Sequence, residues 1–113
     1  MKLNIGLDWD DTFTAEPLTF ARIIRVFQSE GHKVYITTAR SPGIHTDECY
    51  DVLAWHGITN VEVHGTRYTS KKRHMLKAGI NIDIWIDDHP TRVHIDEEHE
   101  PLLVELPEGV WQK

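Results

Sequence analysis

Two periodicities take turns along the chain. Leu3, Ile5, Leu7 and Trp9 alternate with Asn4, Gly6, Asp8 and Asp10, the two-residue period of a strand. Residues 17–30, PLTFARIIRVFQSE, instead space Phe20, Ile23, Ile24 and Phe27 at helical intervals, with proline at the entry and Gly31 just past the exit. KVYITT, residues 33–38, is a β-branched strand pattern. TDECYDVLAWHG, residues 46–57, predicts a helix with Thr46 as N-cap and Gly57 as its stop. NVEVHG, residues 60–65, predicts a short strand, and SKKRHMLKAG, residues 70–79, a third helix capped by Ser70 and closed by Gly79. INIDIWIDD, residues 80–88, is a strongly patterned strand, and PLLVEL, residues 101–106, a final one.

Strands alternating with helices predict an α/β fold: a five-stranded parallel sheet in three α/β/α layers, Rossmann-like, forming one domain over residues 1–113. The chain has no internal repeat, low-complexity tract or linker. Right-handed crossovers restrict how such a sheet is wound. Ligands bind at the carboxyl ends of its strands, near the reversal of strand order. Three of the expected strands end in polar residues, DWDDT, TTAR and DDHP. The topology should bring these ends to one rim.

Composition narrows the setting. A chain of 113 residues, 40% hydrophobic, holds a core without staples. One cysteine, Cys49, excludes an internal disulfide and fits a reducing compartment. The N-terminal apolar run, broken by Asn4 and Asp8, reads as neither signal peptide nor membrane span, so a cytoplasmic protein without a membrane partner is expected. A net charge of -6 argues against broad nucleic-acid binding. The charge is uneven, however. Residues 67–77 carry Arg67, Lys71, Lys72, Arg73 and Lys77, five of the twelve Lys and Arg, while residues 83–108 hold nine of the eighteen acids. A basic run is ordinarily a solvated helix face, but beside an acidic site it also suits a phosphorylated substrate.

Asp8 and Asp10 lie two apart and point to one side where the chain is extended. Carboxylates brought that close resist joint ionisation unless a cation is near. Asp87 and Asp88 end an apolar strand, where they are costly without a cation or donors, so the two pairs together offer an oxygen-rich site for Mg²⁺. Thr38 ends KVYITT, where a hydroxyl or a free amide could hold a phosphoryl oxygen, and Arg40 could add a bidentate contact. Lys71 and Lys72 open a helix, where the macrodipole disfavours cations, which hints at a task such as neutralising phosphate. Each feature also has a plain structural reading: acidic turn, strand end, exposed lysine pair. The eight histidines show no metal-binding spacing, and His94 and His99 within the acidic stretch suit only an adventitious ion.

In order, these parts resemble the haloacid dehalogenase-like superfamily. GLDWDDTFT resembles its first motif, VYITTAR its second, Lys72 in KRHML its third and IWIDD its fourth, together covering residues 3–88. The resemblance implies a Mg²⁺-dependent phosphomonoester hydrolase working through an aspartyl-phosphate. Asp8 would be the nucleophile and Asp10 the acid-base, with Thr38 and Lys72 positioning the phosphoryl group. The metal would be held by Asp8, the Asp10 carbonyl and a fourth-motif acid, Asp88 as ligand and Asp87 as support. Lys72 is preferred over Lys71 because Met75 and Leu76 then fall three and four residues on. An acid at Asp10 suits a phosphate ester, whose leaving oxygen needs a proton.

Two departures stand out. Asp11 occupies the place of the family's usual glycine, and Trp9 that of Phe or Leu. The segments that would carry a cap domain are only a few residues long, so a capless, open site is expected. Such a site suits a nucleotide, a polynucleotide end or a phosphoprotein, or a partner subunit of a homo-oligomer that covers it. A softer similarity links TTAR, WHGI and IDDHP to the phosphatase half of polynucleotide kinase-phosphatases and to deoxynucleotidases. The alternatives are a phosphotransferase with an acceptor other than water and a receiver-like or degenerate phosphate-binding module.

Overall fold

The computed structural model describes residues 1–93 and the backbone of residues 102–105. The acidic stretch with His94 and His99 lies outside the described residues. Strand β1 is Asn4–Leu7, helix α1 Pro17–Ser29, β2 Lys33–Thr38, α2 Ile44–Trp55, β3 Glu62–Gly65, α3 Lys71–Lys77 and β4 Ile84–Asp87. The four strands form a parallel sheet in the order β3-β2-β1-β4. This is a small α/β domain. The chain starts in the middle, winds outward through β2 and β3, then crosses to the other side of β1. Winding therefore reverses between β1 and β4, which is where a parallel sheet opens a crevice beyond its strand ends.

The two-residue period sorts the side chains. Ile5 and Leu7 of β1 join Val34 and Ile36 of β2 in a cluster with Phe20, Ala21 and Ile24 of α1 and Cys49 and Leu53 of α2. The intervening positions, Tyr35 and Trp85, cluster instead with Met75 of α3, Ile82 and Val93. Gly6 is required here: a Cβ at this position would lie 2.8 Å from Cε3 of Trp85. The ring of Trp85 thus lies against the β1 backbone.

Boundaries moved where side chains make their own local bonds. α2 begins at Ile44 with Gly43 as N-cap, so Thr46 lies inside the first turn instead of at the cap. Its hydroxyl accepts from the Gly43 amide at 3.0 Å and reaches the Gly43 carbonyl at 3.0 Å, satisfying helix-start groups from within. Ser70 caps α3 as expected, accepting from the Arg73 amide at 3.2 Å. Among the described residues no helix is long and apolar enough to cross a membrane.

Candidate active site

Asp8 follows β1 directly, and its amide continues the sheet by donating to the Ile86 carbonyl at 2.9 Å. The chain then turns sharply. Asp11 adopts a left-handed backbone, φ 61°, and its amide donates to the Thr14 hydroxyl at 3.0 Å. Aspartate tolerates this conformation better than most residues, which is why it can stand at a position suited to glycine. Trp9 and Phe13 stack across the turn with ring centroids 4.4 Å apart and planes 6° from parallel, pinning it to the core. The turn brings Thr12 back over Asp8. Its hydroxyl lies 3.0 Å from Oδ2 of Asp8 and 3.2 Å from Oδ1 of Asp88, so its single proton serves one carboxylate at a time.

Lys71, not Lys72, enters the site. Its buried ammonium donates to Oδ1 of Asp8 at 2.8 Å and to Oδ2 of Asp87 at 2.6 Å. Lys71 and Met75 are four apart and share the buried face of α3, whereas Leu76 is 51% exposed. The apolar pair that favoured Lys72 is thus split between core and solvent, and the register shifts by one. Lys72 does not line the cleft, and its amide donates to the Val93 carbonyl at 2.7 Å.

Asp87 receives a second donor, the His89 amide, on Oδ1 at 2.8 Å. Ligand-capable atoms of Asp8, Asp87 and Asp88 all lie within 4.8 Å of one another. Three carboxylates against one ammonium leave two negative charges in excess. Burial raises the Asp8 carboxyl to about 8; Lys71 opposes the shift and Asp87 adds to it. Burial likewise raises Asp87, again against Lys71. Burial works against the Lys71 ammonium, but the two carboxylates outweigh it and hold its pKa above the ordinary value. The cluster therefore retains a proton unless a cation replaces it. Oxygen-only ligands and a two-charge excess fit a hard divalent ion.

Asp10 and Arg40 form the rim. The guanidinium meets Asp10 in a fork, Nε to Oδ2 at 3.0 Å and Nη2 to Oδ1 at 2.8 Å, while Nη1 reaches Oε2 of Glu48 at 3.1 Å. The hydrogen bonds it donates to Asp10 raise the guanidinium pKa still further. Thr38 is fully buried and accepts from the Arg40 amide at 3.3 Å, so it props the Arg40 loop from below and does not line the cleft. Gly65 lets the end of β3 approach this loop, since a Cβ there would lie 2.6 Å from the Arg40 carbonyl oxygen.

The resulting cleft, about 190 Å³, is lined by Asp8, Asp10, Arg40, Lys71, Asp87 and Asp88, joined at its edge by Tyr68 and Arg92. The polar ends of β1, β2 and β4 thus meet on one rim, as the alternation of elements predicted. Sequence reasoning missed the roles of Thr12, Tyr68 and Arg92. Thr12 was visible as a hydroxyl four residues after Asp8; Tyr68 and Arg92 carried no local signal. Compared with protein-family models, curated proteins and solved structures, the chain gives no match.

Proposed function

We propose that the chain is a Mg²⁺-dependent phosphomonoester hydrolase acting through an aspartyl-phosphate on Asp8. One observation carries this reading: a buried carboxylate at the end of β1 faces a cleft, shares Lys71 with Asp87 and lies beside Asp88. The fold belonging to it is a three-layer, capless, haloacid dehalogenase-like domain with a fifth strand. Two facts support that form: the parallel register of Leu102–Glu105 against β4, and the separate clustering of α1 and α2 from α3. A cytoplasmic setting suits Cys49, whose buried thiol has its pKa raised to about 11 by burial.

In the reaction an Asp8 oxygen attacks phosphorus as the bond to the leaving oxygen breaks, and Asp10 supplies that oxygen with a proton. Water then attacks phosphorus, Asp10 takes its proton, and the Asp8–phosphate bond breaks to release phosphate. Asp8 and Asp88, with the Asp10 carbonyl, would hold the ion. Both Asp87 oxygens already have donors, which favours Asp87 as support. When bound, Mg²⁺ masks phosphoryl charge so that an anionic nucleophile can approach. Lys71 does the same from the protein side while fixing the Asp8 carboxylate. Asp10 must leave Arg40 to take up a proton, and an arriving phosphoryl group offers the guanidinium another anion.

Phosphate release from an aryl phosphate and a nucleotide panel, with Mg²⁺ and with EDTA, tests the reading. Activity that survives EDTA or an Asp8→Asn change sinks it. A second reading follows from the Asp10–Arg40 fork. If the fork persists with phosphate bound, the acid-base carboxylate stays engaged. The chain is then a phosphotransferase or a receiver-like module. Phosphoaspartate that outlasts the assay without free phosphate would favour that alternative.

A further inference from the structure

The Tyr68 backbone is tied down, yet the residue projects from the protein. Its side chain is 75% exposed. Arg67 and Tyr68 are consecutive residues in the left-handed region, φ 54° and 62°. Bulky residues adopt this conformation at a cost, and an ordinary turn would place glycine or asparagine there. The strain is held by the loop that follows β2. The Arg67 amide donates to the Arg40 carbonyl at 3.3 Å and the Tyr68 amide to the Ala39 carbonyl at 3.0 Å. The guanidinium carbon of Arg92 lies 5.0 Å from the centre of the Tyr68 ring, covering one face. The high exposure leaves the opposite face to solvent at the edge of the acidic cleft.

Core packing does not require this ring, since it belongs to neither buried cluster. It lines the same cleft as Lys71, Asp10 and Arg40 and is open to whatever enters there, which is what a ligand-facing surface needs. We propose that Tyr68, backed by Arg92, is a stacking platform for a planar heteroaromatic leaving group. The favoured substrates are then phosphate monoesters that carry such a ring. The proposal rests on the hydrolase reading for the fate of the phosphoryl group, but not for the binding of the ring.

The test compares a nucleoside monophosphate with glycerol phosphate as substrates of the full chain in Mg²⁺. The ring-bearing ester should show the higher kcat/KM, mainly through a lower KM. Tyr68→Ala should reduce that preference about tenfold, Tyr68→Phe should keep it, and Arg92→Ala should fall between. A second arm measures binding of the same nucleotide and of inorganic phosphate to the Asp8→Asn chain, or to wild type in EDTA if that variant does not fold. Phosphate release with no ring preference, or a preference untouched by Tyr68→Ala, overturns the platform and leaves the hydrolase reading standing. No phosphate release from any ester, with tighter nucleotide binding that Tyr68→Ala abolishes, does the reverse.

Discussion

Lys71 and Arg40 each hold two carboxylates, one pair in the interior and the other at the surface. Lys71 joins Asp8 and Asp87 where all three side chains are almost fully buried. Arg40 joins Asp10 and Glu48, both of which are more than half exposed. Buried partners cannot be exchanged without stranding a charge, so the Lys71 group behaves as a fixed scaffold. The surface group costs little to open and can trade one anion for another. On the proposed mechanism that is the required division: a nucleophile that stays still and an acid-base that moves.

The largest effect of any substitution should come from removing the interior cation. Lys71→Met leaves two carboxylates facing each other in the core, and stability should fall by about 3–5 kcal/mol in denaturant unfolding. Lys72→Met should cost much less. Equal losses would mean that the interior group is not a scaffold.

Acidity sharpens the same contrast. Without a cation, Asp8 keeps its proton up to about pH 8 in the fold, whereas an unfolded chain loses it near the ordinary carboxylate value, about 3.9. Between these limits the folded state binds the extra proton, so stability falls as pH rises, by about 1.4 kcal/mol per pH unit for each proton held. Above the upper limit the curve flattens. Unfolding in EDTA across this range should show the decline, and excess Mg²⁺ should remove it. A flat profile in EDTA would contradict a proton retained by the buried cluster. Thr12→Val should follow in size, at about 1–3 kcal/mol, because a buried carboxylate loses a hydroxyl donor.

The interior and the surface were unequally legible in the sequence. β2 was readable to the residue, and α1 to within one, because their apolar spacing is produced by burial itself. The convergence of Asp8 with Asp87 and Asp88 followed from topology, since parallel strands must end on one side. Lys72 was preferred to Lys71 because Leu76 is apolar yet exposed, and hydrophobicity read along a seven-residue helix cannot separate adjacent faces. The Asp10–Arg40 fork is a contact between residues thirty positions apart that neither periodicity nor motif encodes. Thr38 illustrates a different limit. Its position at the end of β2 was right, but whether a hydroxyl faces the cleft or the loop above depends on how Arg40 folds back over it.

The smallest effect on stability should accompany a large effect on substrate binding. Arg40→Gln removes an exposed fork, so unfolding should change by less than about 1 kcal/mol. If the guanidinium passes from Asp10 to the phosphoryl group, its loss should raise KM for phosphate esters and weaken competition by inorganic phosphate. Arg40→Lys should restore little of either, because an ammonium keeps the charge but not the two-pronged geometry. A lysine that restores both would mean that Arg40 supplies field alone, with no exchange of partners. An Arg40→Gln chain with unchanged KM but raised turnover would mean that the fork restrains Asp10 and takes no part in holding phosphate. That outcome would make the surface group a brake on Asp10, reversing the contrast with Lys71.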